Sequence, residues 1–247
     1  MKSHLLERLP FVWTAPVKDL VLVTGSDSSH FSSLMQFLAG ARAHEGATTL
    51  LVYDLGLSGD ERRRAERTFP NVESRTFDFS LYPDHVDIER HAGQYAWKPV
   101  IICDVLEEFK RPVCWMDAGN VITEPLVWLR RFIARNRFYS PISDGTIADW
   151  THPATLRALG AGGSLLGRRN RSGACVALGY DGGGVVTRMI QRWKECALTR
   201  DCIAPPGSDR TNHRQDQAVL SVLSYQFGVA QSSPELKHGF LTHQDVG

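Results

Sequence analysis

Two short stretches carry side chains whose types and spacing could do chemistry. The first covers residues 111–124, Arg-Pro-Val-Cys-Trp-Met-Asp-Ala-Gly-Asn-Val-Ile-Thr-Glu. Its apolar run, Val113, Cys114, Trp115 and Met116, has the composition of a buried central strand. The run stops at Asp117, and Ala118 and Gly119 then let the backbone bend and approach another group closely. A carboxylate at the carboxyl end of a buried strand is where open α/β sheets place ligand-binding groups. Taken alone, Asp117 reads as readily as a helix cap. The second stretch is Asn212-His213-Arg214-Gln215-Asp216-Gln217, followed by an apolar stripe of Ala218, Leu220, Val222 and Leu223. A helix that starts by presenting Asp216 and Gln217 together can hydrogen-bond hydroxyl groups, while His213 or Arg214 meets an anion. A capped amphipathic helix explains Asn212 but not the Asp-Gln pair.

The segments around them read as alternating strands and helices. Leu20–Thr24 and Thr49–Tyr53 are β-branched-rich strands, and Val72–Phe79 is a third. Phe31–His44 and Gly59–Phe69 are helices, the latter capped by Ser58 with Asp60 and Glu61 in its first turn. Tyr82–Gly93 is polar and irregular. A helix over Gln94–Phe109 carries Pro99 in its first turn and Ile101, Val105, Leu106 and Phe109 on one face. Beyond the Asp117 strand come a helix over Pro125–Arg137, a strand over Phe138–Ser143 and a short helix over Pro153–Leu159. A glycine- and arginine-rich loop follows over Gly160–Gly173. Ala174–Tyr180 is a strand, Val185–Leu198 a helix, Cys202–Asn212 a loop and His213–Tyr225 a final helix. This alternation predicts an α/β fold with a mixed, mostly parallel sheet flanked by helices on both faces.

In such a sheet the loops after the first, second and fourth strands meet along one edge. They carry Thr24, Gly25, Ser26 and Asp27, then Asp54, then Asp117. Their hydroxyls, amides and carboxylates suit a base, a ribose and a metal-bound diphosphate; Asp54 reads equally as a turn former. Lys98 offers a point charge to a phosphate or is a solvated surface lysine.

Bulk properties exclude other classes. The chain has 247 residues and a net charge of +1, which gives no global case for nucleic acid or anionic membrane. No apolar run reaches the roughly 18 residues of a membrane span, and residues 1–20 lack the continuous apolar region of a signal peptide. There is no GxGxxG after strand one, no GxxxxGK[ST], no GxSxG and no HExxH. The five cysteines, Cys103, Cys114, Cys175, Cys196 and Cys202, contain no CxxC pair. Free thiols are the expectation, although Cys196 and Cys202 are close enough to cross-link in an oxidising compartment. The expected location is the cytoplasm, free or peripheral to a membrane, or the Golgi lumen for a trimmed chain.

The order Tyr95-Ala96-Trp97-Lys98-Pro99, Trp115-Met116-Asp117-Ala118-Gly119, then Asn212-His213-Arg214 with Asp216-Gln217 resembles GT-A-fold glycosyltransferases that use nucleotide-diphosphate sugars. It is similar in particular to a branch with Trp-x-Asp-x-Gly and Asn-His-Arg-x-Asp-Gln. The resemblance spans most of Leu20–Tyr225. It implies a single GT-A-like, Rossmann-type domain over 1–247, with an arm at 1–18, a nucleotide-binding half at 19–120 and an acceptor-binding half at 121–247. The implied function is transfer of a sugar to an acceptor hydroxyl of a glycan or glycoconjugate. Donor contacts would come from Thr24, Gly25, Ser26, Asp54, Tyr95, Lys98, Asp117, Ala118, Gly119, His213 and Arg214. Asp216, Gln217 and Asp149 would be catalytic, with Asp216 or Asp149 as base in an inverting enzyme and Asp216 holding sugar hydroxyls in a retaining one. Trp150 and His152 would face the acceptor, although Trp150 reads equally as a structural tryptophan. The family's Asp-x-Asp is here Asp117-Ala118-Gly119, so one carboxylate is missing. Mn²⁺ or Mg²⁺ would be held by Asp117 with Asn120, His238 or His243; otherwise Lys98, His213 and Arg214 would stabilise the diphosphate without metal. A catalytically silent sugar-nucleotide binder and an α/β phosphohydrolase using Asp117 are the alternatives.

Overall fold

The computed structural model describes residues 14–230 and 239–246. Ten strands are assigned among them: β1 Val21–Ser26, β2 Thr49–Asp54, β3 Glu73–Thr76, β4 Val113–Met116, β5 Val121–Ile122, β6 Phe138–Tyr139, β7 Ile142–Thr146, β8 Arg169–Arg171, β9 Cys175–Leu178 and β10 Phe240–Leu241. The helices are α1 Phe31–Glu45, α2 Gly59–Thr68, α3 Trp97–Phe109, α4 Val127–Asn136, α5 Ile147–Trp150, α6 Pro153–Ala158, α7 Val185–Ala197, α8 Arg200–Ile203 and α9 Gln215–Gln226. The central sheet runs β3-β2-β1-β4-β9-β6, with β3, β2, β1 and β4 parallel and β9 antiparallel to both its neighbours. The expected mixed, mostly parallel sheet is therefore present.

The central strands are buried on both sides, and their alternating residues feed two cores. Val21, Val23, Val113 and Trp115 face one side, where α3, α7 and α9 supply Ile101, Ile102, Met189, Trp193 and Val219. Leu22, Cys114 and Met116 face the other, against Leu34, Phe37 and Leu38 of α1 and Leu129, Phe132 and Ile133 of α4. Each such side chain contributes about 1.5–3 kcal/mol on burial, which holds the strand ends in fixed relation. From β1 the chain winds outward through β2 and β3, then crosses back to β4 on the other side of β1. That reversal makes a crevice at the carboxyl ends of β1 and β4, the place where open sheets bind ligands.

Several local expectations need correction. The strand over Phe138–Ser143 is split at Pro141, which has no amide to donate. Its first part, β6, stays in the central sheet; the second, β7, leaves to pair with β8. The loop over Gly160–Gly173 contains that strand, and Asn170 and Arg171 are buried. Ser221 Oγ donates to Asn170 Oδ1 and accepts from the Arg171 amide, so polar residues that read as a loop are satisfied inside. His152 caps α6. Cys196 and Cys202 form a disulfide that ties α7 to α8, while Cys103, Cys114 and Cys175 are free and buried. Among the described residues no helix is long and apolar enough to cross a membrane.

Candidate active site

The crevice is a cavity of about 540 Å³ lined by residues from both ends of the chain. Its floor is Lys98, on the first turn of α3. Although a lysine, it is only 4% exposed. Its Nζ lies 2.9 Å from Asp117 Oδ1 and 3.5 Å from Asp216 Oδ2. The rings of Tyr95, Trp97 and Trp115 surround the ammonium at 5.7–5.8 Å, a cation–π arrangement. Burial opposes its charge, yet the two carboxylates outweigh this and hold its pKa above that of a free lysine. Lys98 thus joins the end of β4 to the start of α9.

Asp117 leaves β4 where Ala174 O accepts its backbone amide. Oδ1 accepts from Trp115 Nε1 at 2.7 Å and pairs with Lys98. Both contacts fall on Oδ1, so Oδ2 is left for another partner. Asp216, in the first turn of α9, is 5% exposed, and its Oδ2 accepts no hydrogen bond beyond the long approach of Lys98. Burial pushes its carboxyl upward in pKa; the nearby Asp117 charge adds to this, and Lys98 offsets only part of it. Gly173 keeps this pair accessible, because a Cβ there would sit 2.9 Å from Asp216 Oδ2. Gln217 also lines the cavity, and its Nε2 has no partner.

Around this junction the wall is partly cationic. Arg214 lies with its guanidinium 3.9 Å from the Trp150 ring centroid, and Arg210 donates to Tyr95 Oη at 2.7 Å. Gly25, Ser26, Asp27, Ser29 and His30 close the β1 side. Asp27 Oδ1 accepts from the His30 amide and from Ser29 Oγ, which fixes that turn.

Of the residues expected at the site, the cavity brings together Gly25, Ser26, Tyr95, Lys98, Asp117, Ala118, Gly119, Asn120, Arg214, Asp216, Gln217 and His243. Others lie outside its lining. Thr24 is fully buried in β1. Asp54 accepts from the Gly56 and Leu57 amides and pairs with Arg62 at 2.5 Å, so its carboxylate shapes a turn. His213 is buried, its Nε2 bonded to Ile203 O and its Nδ1 accepting from the His152 amide; burial pushes its pKa down. A neutral imidazole locked to backbone cannot clamp a phosphate. Asp149 accepts from the amide and hydroxyl of Thr146 in a capping box, and His152 caps α6 through Nδ1. Trp150 reaches the cavity only through Arg214. His238 lies outside the described residues.

Asp27, expected on the loop after the first strand, lines the cavity as well, while His30, Arg210, Gln215 and Asp245 do so without having been singled out in the sequence. Asp245 belongs to a late segment that returns across the site. Gly239, with φ of +85°, turns the chain into β10, which pairs with β5 just beyond Asp117. The Gln244 amide then donates to Gly119 O at 2.7 Å, and Ser33 bonds the Val246 backbone. His243 and Asp245, on either side of that anchor, both line the cavity.

Side chains that could hold a divalent cation are therefore Asp117, Asn120, His243 and Asp245, an oxygen-and-imidazole set suited to Mn²⁺ or Mg²⁺. Asn120 is fully buried; its Nδ2 donates to Ala174 O while Oδ1 has no partner. These groups line one cavity without being drawn together around a point. Cys103, Asp104 and Glu107 are the one trio among the described residues with ligand atoms within 4.8 Å. It does not fit a metal: Lys194 already pairs with Asp104, and burial pushes the Cys103 thiol up to about 12. Across the main cavity four carboxylates, Asp27, Asp117, Asp216 and Asp245, stand against three permanent cations, Lys98, Arg210 and Arg214.

A family model described as "Protein of unknown function (DUF1647)" matches residues 13–103. No curated protein matches the sequence. Among solved structures the chain is similar to the galactosyltransferase LgtC in complex with donor and acceptor sugar analogues, with 14% identity, TM-score 0.50, and 82% of this chain and 70% of that one covered. An active-site mutant of LgtC gives 13% identity and TM-score 0.52 over 90% and 86% of the two chains. The bifunctional glycosyltransferase WbbM in its apo form gives 12% identity and TM-score 0.52, covering 83% of this chain and 37% of that one. The chain has the GT-A-type fold of these glycosyltransferases.

Proposed function

We propose that this chain is a glycosyltransferase that binds a nucleotide-diphosphate sugar in the β1–β4 crevice and transfers the sugar to an acceptor hydroxyl. The observation that carries the reading is the Asp117–Lys98–Asp216 junction, which joins three separate chain segments at the reversal point of a GT-A-type sheet. The β1 loop, with Gly25, Ser26 and Asp27, suits the nucleoside. Arg214 and Arg210 suit the diphosphate, since planar guanidinium groups match phosphate oxygens. Asp216 would meet the transferred sugar. Its raised pKa suits a group that accepts a proton from the incoming hydroxyl or binds sugar hydroxyls. Gln217, with an unpartnered amide nitrogen, would orient the same sugar.

The cavity's carboxylates outnumber its permanent cations, so a diphosphate dianion needs further positive charge there. Asp117 and His243 would hold a divalent cation that stabilises charge developing on the leaving diphosphate. The Cys196–Cys202 disulfide favours an oxidising compartment over the cytoplasm.

Thermal shift against a panel of nucleotides and nucleotide sugars, with and without Mn²⁺, tests the reading, because a ligand of the native state raises apparent stability. A selective shift that Asp117→Asn abolishes is expected, together with donor hydrolysis or transfer. A panel with no shift, or one unchanged in Asp117→Asn, would overturn it; shifts without any turnover would reduce the chain to a sugar-nucleotide binder.

A further inference from the structure

Five consecutive residues before α3 hold left-handed backbone. His91, Ala92, Gly93, Gln94 and Tyr95 have φ of +53°, +54°, +58°, +51° and +54°. Residues with a side chain normally enter this region singly, because Cβ then crowds the following carbonyl oxygen; only Gly93 of the five lacks one. Such strain persists only where the surroundings over-determine it, and it gathers at functional sites. Gly93 is the pivot, since a Cβ there would lie 2.2 Å from Val86 O. Trp97 Nε1 donates to Ala92 O and the Ala96 amide to Gly93 O, which fastens the turn to the start of α3.

The turn delivers Tyr95 to the cavity wall. Its ring centroid lies 5.7 Å from Lys98 Nζ and 5.7 Å from Arg210 Cζ. Its Oη accepts from Arg210 Nη1 at 2.7 Å, and among the described residues the Arg210 guanidinium has no other hydrogen-bond partner. Arg210 is exposed on the loop between α8 and α9, where its long side chain would otherwise sample many rotamers. Fixing such a side chain ahead of binding removes an ordering cost that the ligand would otherwise have to meet.

We infer that Tyr95 is a positioning residue: presented by the left-handed turn, its hydroxyl holds the Arg210 guanidinium in the cavity, oriented for phosphate oxygens. The inference rests on the donor-site reading above and deepens it. Tyr95 then acts on the diphosphate through Arg210 and loses its effect where Arg210 is absent. A tyrosine that only packed, or that met phosphate by itself, would act independently of Arg210.

Calorimetric titration of the full chain with inorganic pyrophosphate, at constant Mg²⁺ and ionic strength, gives the four corners of a double-mutant cycle. Tyr95→Phe keeps the ring against Lys98 and removes the hydroxyl; it should weaken binding about fivefold, the worth of one hydrogen bond. Arg210→Ala should weaken it about tenfold, and adding Tyr95→Phe to Arg210→Ala should cost less than about twofold further. Ala92→Gly reads the turn itself: glycine relieves a left-handed position, so the melting temperature should rise by about 2–4 °C. Independent effects of the two substitutions, or a Tyr95→Phe variant that binds pyrophosphate as wild type does, would overturn the inference and leave the donor reading standing. So would a melting temperature unchanged or lowered in Ala92→Gly. A wild-type chain that binds no pyrophosphate would overturn both.

Discussion

Replacing Lys98 with methionine should expose how the site is held together. Methionine fills much of the lysine volume but removes the ammonium that lies 2.9 Å from Asp117 and 3.5 Å from Asp216. Breaking a buried ion pair costs about 3–5 kcal/mol, because an uncompensated charge stays inside. Asp117 is about one-third exposed and can relax toward water, whereas the Asp216 side chain is 7% exposed and cannot. The expected loss is therefore at the lower end, about 3 kcal/mol at pH 7.5.

The loss must depend on pH in one direction. Asp216 already has a raised pKa in the folded protein. A raised carboxyl contributes stability at low pH that is lost as pH rises through its folded value. Removing Lys98 raises that value further, so the variant is penalised relative to wild type at neutral pH and recovers on acidification. The lysine itself contributes a constant amount below about pH 10, because its folded pKa is raised and its unfolded one is near 10.4. Recovery cannot exceed about 1.4 kcal/mol per pH unit for one proton. Urea denaturation of both proteins in EDTA at pH 8, 7, 6 and 5 measures it, and Lys98→Met with Asp216→Asn should regain most of the lost stability. A difference below about 1 kcal/mol at pH 7.5, or one that stays flat from pH 8 to pH 5, would refute the buried-junction account.

Two further outcomes separate structural from ligand-binding roles. Asp54→Ala should cost about 2 kcal/mol in urea denaturation, since two turn amides and Arg62 lose their partner, yet leave nucleotide-sugar affinity within twofold. Reduction of Cys196–Cys202 with dithiothreitol should lower stability by about 2 kcal/mol for so short a loop, with an unchanged cavity; an unaffected melting temperature would mean that the two thiols are not paired in solution.

How far the chain could be read in advance depended on where each residue finds its partners. β1, β2 and β4 are apolar runs buried on both faces, so composition alone marks them, and Asp117 is conspicuous because it ends such a run. Asp216 and Gln217 stood out because polar pairs at a helix start have no packing reason to be there. Asp54 and His213 looked equally chemical, but their hydrogen bonds run to amides and a carbonyl of their own surroundings. Sequence does not show whether a carboxylate turns toward a ligand or back onto its own loop. β8 was illegible for a related reason. Arg169-Asn170-Arg171 reads as solvated loop, and it is burial beside Ser221 and the Tyr225 ring that makes it a strand. Asp245 was the hardest, since nothing local marks it and its meaning depends on the pairing of β10 with β5.

The buried junction also changes which groups can meet a diphosphate. Lys98 looked like a point charge for phosphate, but its ammonium is shared between two carboxylates and ringed by aromatic faces. A phosphate oxygen could recruit it only by displacing Asp117 or Asp216, leaving a carboxylate unpaired at a cost of several kcal/mol. His213 is neutral and locked to backbone. The metal-free set of Lys98, His213 and Arg214 is thereby reduced to Arg214, joined by Arg210. Two arginines in a cavity that also presents four carboxylates form a weak clamp for a dianion. The divalent cation proposed at Asp117 would answer that deficit.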